Sequence, residues 1–374
     1  MKMNLKYVPQ QIALCYAARS NLVLLGQPGI GKTYTVEAAA KKIAERVKGF
    51  QYVPIDVPTM APPDIGAFMP STSEHVLEFY ANNVFPNHYR DPNATGILFL
   101  GEMLNVDPAT GKLLQKYCNG EDINGRLRKP NGFIIIADSN RLIDKSGVLQ
   151  QSRAFLNRFA HLHVFTTPRD NLEYAEANDF HPAVTTFLKE YPDLIDTYEQ
   201  AFGDKTGKSS PRDADKASIL VEEGKQGVWA CMRGWERISK LEIAAEAMKM
   251  ELDIALVMGS VGSSVGAQYN THRAMVKRLA TVEEIVRDPK HAPVPDKPDA
   301  LYAQLVLLTA KLDDKDMGAA SIYLDRVRPD LKAMAVRRMI LREDKKQGFV
   351  VTKTKEYRTW MSDPQFTDML MARG

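Results

Sequence analysis

Cysteine is scarce in this chain: three among 374 residues, Cys15, Cys118 and Cys231, far apart and without metal-ligand spacing. A disulfide framework and a zinc-organised fold are therefore excluded, and reduced cytosolic thiols are expected. Long apolar runs are also missing. The longest, such as Phe133 to Ala137, are strand-sized and far short of the roughly 18 residues a membrane span requires. The opening Met-Lys-Met-Asn-Leu-Lys has no hydrophobic signal region, so nothing points to export and a cytoplasmic location is expected. Histidines are few, and His161, His163 and His181 have no carboxylates at ligand spacing, so they read as structural or surface groups. No Ser-His-Asp or Cys-His arrangement is legible from spacing.

A large net charge is missing as well: 49 basic against 46 acidic residues leave +3. The distribution is uneven. Residues 326–358 hold eleven Lys or Arg against four acids, a local +7, so the remainder carries −4. Such a segment could attract nucleic acid or an acidic partner. The simpler expectation is a solvated helix face, since Arg337, Arg338 and Arg342 are helix-spaced around Met334, Ile340 and Leu341.

What is present is ordinary globular material, 44% hydrophobic and 25% charged, with length enough for two or three domains. The first half alternates short apolar runs with helix-like stretches. Leu22 to Leu25, Gln51 to Val57, Ile97 to Leu100 and Phe133 to Ala137 are bounded by turn signals. The last two run without polar alternation, as strands buried on both faces of a helix-covered parallel sheet do. From about Pro168 the pattern becomes helical, in His181 to Leu188, Val228 to Leu252 and Ala300 to Leu312. A polar stretch at 203–227 reads as an insertion, and 288–299, with four prolines, as a connector. The predicted organisation is an α/β nucleotide-binding domain over 1–166, an α-helical lid over 167–287, and a basic, mostly helical extension over 288–374.

The clearest chemistry lies between the first strand and the helix that follows it. Gly26, Gln27, Pro28, Gly29, Ile30, Gly31, Lys32 and Thr33 fit G-x-x-x-x-G-K-[ST], with Tyr34 opening the helix. Glycines let backbone N–H groups turn inward around a β-phosphate, Lys32 supplies a charge to the β/γ oxygens, and the Thr33 hydroxyl can join an Mg²⁺ shell. The helix N-terminus adds its dipole. These residues predict a nucleoside triphosphate site using ATP and Mg²⁺.

Such sites need a second apolar strand ending in an acid for the metal shell and, in many, a neighbouring glutamate that activates water. The strand Ile97 to Leu100 runs into Gly101 and Glu102. Glu102 stands where the water-activating residue belongs, but the preceding position is glycine instead of aspartate. Mg²⁺ relies on few carboxylates plus the phosphates, so binding can survive with modest turnover. Asp56 and Asp138, at the ends of the neighbouring strands, are possible substitutes or plain strand-end caps. If the carboxylate is missed, Gly101→Asp is expected to raise Mg²⁺-dependent hydrolysis.

The third strand ends Ile136-Ala-Asp-Ser-Asn140-Arg141, and Ala154-Phe-Leu-Asn-Arg158-Phe follows. In this order the elements resemble the AAA+ ATPases, specifically the MoxR-like branch, including phage and bacterial members of about this length. The likeness extends through His181-Pro, Phe187-Leu, Tyr191-Pro, Arg233-Gly-Trp-Glu-Arg-Ile-Ser239, Val261-Gly262 and Ala292-Pro-Val-Pro. It implies Asn140 as the residue between γ-phosphate and attacking water. It also implies Arg158 as an arginine finger acting across a subunit interface, with Arg153 and Arg141 as rivals, and Arg233 as the γ-phosphate reader of the lid, with Arg212 as rival.

The resemblance further implies a hexameric ring that remodels a protein partner, with a von Willebrand factor A-domain protein as the type of partner expected. In a ring, the turn around Ile123-Asn-Gly-Arg126-Leu could face the channel, with Lys112, Arg126 and Arg128 touching substrate. It could equally be an exposed hairpin without a partner. Two other functions remain open: a nucleic-acid motor or loader using residues 326–358, and a slow nucleotide switch because of Gly101.

Overall fold

The computed structural model describes residues 2–71, 76–141, 144, 153–202, 227–343 and 350–371. Most of the polar stretch, with Arg212, and the side chain of Arg153 lie outside the described residues. The chain forms two compact units, Met1–Asp170 and Asn171–Gly374.

The first unit is α/β, as its apolar runs predict. Its elements are β1 (Lys2–Asn4), α1 (Val8–Ala18), β2 (Leu22–Leu25), α2 (Lys32–Ala44), β3 (Phe50–Asp56), α3 (Pro62–Ile65), β4 (Gly66–Pro70), β5 (Leu77–Ala81), β6 (Thr95–Gly101), α4 (Pro108–Cys118), β7 (Gly132–Ser139) and β8 (Ala160–Phe165). Six strands form one sheet in the order β1-β8-β2-β7-β6-β3, with every pairing parallel. β4 and β5 form a separate antiparallel pair.

Alternate residues of each central strand feed opposite faces. Leu22, Leu24, Ile97, Phe99, Ile134 and Ile136 pack with α1 and α2 through Ile12, Val36 and Ala40. Val23, Leu98, Leu100, Ile135 and Ala137 pack with α4 through Leu114 and Tyr117. Each fully buried aliphatic or aromatic side chain contributes roughly 1.5–3 kcal/mol, so the two faces fix the register of the strand ends firmly. All three cysteines are free, and burial pushes the Cys118 thiol up to about 12, which suits a packing role.

The second unit is helical throughout its described residues. One cluster forms around Trp235, on the helix Met232–Met248, which meets Phe187 and Tyr269 at ring distances of 5.1 and 5.7 Å. A second gathers Leu305, Tyr323, Val336 and Trp360.

In the basic segment, several cations are engaged internally. Arg342 donates to the Thr309 and Leu312 carbonyls at 3.0 and 2.6 Å, and Arg337 donates to the Met369 and Leu370 carbonyls. Arg338 pairs with Glu176, Arg326 donates to the Pro289 and Ala292 carbonyls, and Lys332 pairs with Asp325 at 2.6 Å. These groups tie helix ends and a connector together, so Arg337, Arg338 and Arg342 are half-buried and bonded internally instead of lining the solvated helix face expected from the sequence.

Candidate nucleotide-binding site

The cradle runs from the end of β2 into α2, as predicted. Gly29 and Gly31 adopt φ of +84° and +92°, a region where a Cβ is strained, and the loop needs that curvature to turn its amides inward. Ile30, 5% exposed, anchors the loop in the α1–α2 face of the core. The Gly26 amide donates to the Ser139 carbonyl at 3.3 Å, which ties the loop's start to the end of β7.

Lys32 is buried, and its Nζ donates to the Gly26 and Gln27 carbonyls at 2.9 and 3.0 Å and to Asn140 Oδ1 at 3.2 Å. Thr33, exposed at the start of α2, donates its hydroxyl to Asp138 Oδ2 at 2.9 Å. The other oxygen of that carboxylate, Oδ1, accepts the Glu102 backbone N–H at 2.9 Å.

Glu102 sits just beyond β6 with φ +51° and ψ +41°, left-handed for a residue with a side chain. Such backbone costs of order 1–3 kcal/mol and persists where surrounding contacts hold it. The Asp138 carboxylate holds the amide, and Asn105 Nδ2 donates to Glu102 Oε2 at 2.7 Å. The result is an exposed carboxylate beyond the strand end, beside the cradle.

Lys32, Thr33, Glu102 and Asn140 are thus gathered at the ends of β2, β6 and β7, linked directly or through Asp138. Asp56 ends β3 opposite Gly101, with an exposed side chain. Among the described residues no group of three or more His, Cys, Asp or Glu could hold a metal by itself. The Thr33 hydroxyl and the Asp138 carboxylate are hard oxygen donors of the kind that suits Mg²⁺ when phosphates supply the other ligands.

Arg158 is exposed, and it lies between buried Phe155 and Phe159, whose rings meet edge-to-face at 5.6 Å. Those two phenylalanines anchor the turn and leave the arginine outside the core. Arg141 is engaged instead: its guanidinium grips Asp144, with Nη2 2.7 Å from Oδ1. In the second unit Arg233 is exposed near the start of Met232–Met248, opposite the face that buries Trp235 and Ile238. The turn at Ile123 to Leu127 closes as a small antiparallel bridge with Asn124 and Gly125 at positive φ, and Lys112, Arg126 and Arg128 are exposed.

The histidines behave structurally. His181 caps the helix Pro182–Glu190 and contacts Glu246 at 3.0 Å, while His161 contacts the Leu156 carbonyl at 2.8 Å.

No family model matches the chain, and no curated protein matches its sequence. Several solved structures are similar in part. The ORC2 protein of Aeropyrum pernix, in ADPNP–ADP complexes, is 13% identical over 74% of this chain and 72% of that one, with a TM-score of 0.38. A mutant of RuvB from Thermotoga maritima is 15% identical over 75% and 77%, with a TM-score of 0.36. NtrX from Brucella abortus is 12% identical over 73% and 68%, with a TM-score of 0.33. At such identities and scores, function has to be argued from the site itself.

Proposed function

We propose that this chain binds and hydrolyses ATP as an AAA+ ATPase of the MoxR-like type. It would work as a cytoplasmic hexameric ring, in a bacterial or phage-infected cell, that remodels a protein partner. The observation that carries the reading is the convergence of Lys32, Thr33, Asn140 and Glu102 around a strand–loop–helix cradle.

In this reading the loop amides and the N-terminus of α2 receive the phosphates. Lys32 exchanges its loop carbonyls for β/γ oxygens. Asn140 orients water toward the γ-phosphorus, and Glu102 accepts that water's proton as the bond to the β–γ bridging oxygen breaks, leaving ADP and inorganic phosphate. Mg²⁺ would neutralise phosphate charge, with Thr33 on this chain's side of its shell. Arg158 supplies positive charge to a neighbouring subunit's γ-phosphate. Arg233 would read the γ-phosphate bound by its own subunit, coupling nucleotide state to the helical unit and to work on the partner, a von Willebrand factor A-domain protein or another protein client. Exposed Arg126 and Arg128 are the side chains we assign to contact that client.

The internal bonds of Arg326, Arg337, Arg338 and Arg342 weigh against a nucleic-acid motor built on that segment.

The test is steady-state ATP turnover at high protein concentration, with Lys32→Ala and Glu102→Gln beside the wild type. Lys32→Ala is expected to lose nucleotide affinity. Glu102→Gln should keep affinity and lose turnover. A wild type that binds ATP yet turns over no faster than Glu102→Gln would make the protein a nucleotide-gated assembly switch.

A further inference from the structure

We propose that the carboxylate completing the Mg²⁺ shell in this chain is Asp138, supplied by β7 in place of the acid that Gly101 lacks at the end of β6. The inference rests on reading the cradle as a nucleoside triphosphate site. It assigns a metal-positioning role to a residue on a different strand from the one where sequence spacing looks for it.

Strand order makes the exchange possible. β7 lies directly between β2, which carries the cradle, and β6. Neighbouring strands are about 4.8 Å apart, so the end of β7 is one such step from β2 and the end of β6 is two. Leu24 is level with Asp138, and Leu100 with Ala137, so Gly101 and Asp138 are lateral neighbours one residue beyond the last pair. Both also share a face. Asp138 continues the set Ile134, Ile136, and Gly101 continues Ile97, Phe99, all directed to the α1–α2 side where Thr33 begins its helix.

Bonding places Asp138 correctly for the task. A threonine hydroxyl has one proton and two lone pairs. Thr33 gives its proton to Asp138, which leaves its lone pairs for a cation. Asp138 is itself 4% exposed, and its two recorded donors, the Thr33 hydroxyl and the Glu102 amide, are both neutral. A buried carboxylate needs a compensating charge, and a divalent cation beside Thr33 supplies one.

Packing does not demand glycine at 101. A Cβ there would meet the Ile55 carbonyl oxygen at 3.5 Å and Phe99 Cε1 at 3.6 Å, ordinary contact distances, and the residue is absent from the positive-φ glycines. What glycine does is keep a second negative charge away from Asp138 on the adjacent strand end, where the two would repel each other. The sequence-based expectation for Gly101→Asp is therefore reversed: with Asp138 in place, an added acid brings no gain.

The experiment uses the full chain, Mn²⁺ as the metal probe, and a non-hydrolysable ATP analogue. Analogue affinity is measured without metal, and Mn²⁺ affinity of the analogue complex by electron paramagnetic resonance. Asp138→Asn should bind the analogue without metal as the wild type does, but lose about 10- to 100-fold in Mn²⁺ affinity. Gly101→Asp alone should show no rise in Mn²⁺ affinity, and Gly101→Asp with Asp138→Asn should recover most of the loss. Wild-type Mn²⁺ affinity in Asp138→Asn overturns the proposal, and so does a tenfold rise in Gly101→Asp, a protein in which position 138 is untouched. A wild type that binds no analogue at all overturns the nucleotide-site reading instead.

Discussion

Arg342→Met separates a structural basic segment from a nucleic-acid-binding one. The Arg342 guanidinium donates to the Thr309 and Leu312 carbonyls at 3.0 and 2.6 Å, where the helix Pro298–Lys311 ends. Thr309 and Leu312 are buried, so their carbonyls have little water to turn to. A hydrogen bond from a charged donor contributes about 1.5–3 kcal/mol. Arg342 is partly exposed, which places each bond at the lower end of that range, and methionine keeps the apolar stem. The expected loss of the two bonds is about 3 kcal/mol, equivalent to roughly 6–12 °C in the melting of a unit this size. Hydrogen exchange over 298–343, together with urea unfolding, reads that loss directly. Binding to DNA or RNA at low salt, measured in parallel, should not differ between variant and wild type. A variant that unfolds like the wild type but loses strongly salt-dependent nucleic-acid binding refutes the reasoning and returns the segment to a recognition role.

Arg158→Ala should lose at least about 10³ in turnover while retaining ATP, the lower end of what an arginine finger contributes. Mixing it with Glu102→Gln should restore part of the rate, because each mutant supplies what the other lacks; no recovery on mixing places the finger elsewhere. Burial pushes the Asp170 carboxyl up, but hydrogen bonds from Thr167 and Asn4 and the contact with Lys6 outweigh it and hold it at about 2. A depressed carboxyl stabilises above its unfolded value, so this contribution is full above about pH 4 and lost as pH falls toward 2. Asp170→Asn should flatten the acid limb of stability over that window, and an unchanged acid limb would show that Asp170 is not its source. Phe155→Ala, which removes a fully buried partner of Phe159, should cost about 3–5 kcal/mol and disorder the turn that presents Arg158. A small loss in its urea midpoint would mean the turn is held by something else.

Much of this is legible in the sequence alone. β2, β6 and β7 appear as continuous apolar runs because both of their faces are covered, and the cradle is written in consecutive residues. β8 is less visible: Leu162 and Val164 alternate with exposed His161 and His163, a strand signal carried by histidines that attract a chemical reading first. The β4–β5 pair exposes Phe68, Met69, Leu77 and Tyr80, so it lacks the one-sided alternation that marks a half-buried strand. The role of Asp138 is legible only as one possibility among two. It depends on which strand lies beside which and in what register, and lateral pairing between distant segments leaves no trace in local spacing. Asp56 has the same local signature and ends on the far side of β6 from the cradle.

The position of β7 between β2 and β6 also bears on how such a chain can change over generations. On the exchange proposed above, a carboxylate at 101 or at 138 would serve the same Thr33 hydroxyl, so the acid could move between laterally adjacent strand ends without the fold moving. The passage runs through an intermediate with two acids or none. Related chains should therefore show the two positions as exchange partners, with an acid at one accompanied by a small or neutral residue at the other. A search for nucleotide sites that scans one strand end for its acid will pass over every lineage that has completed the exchange.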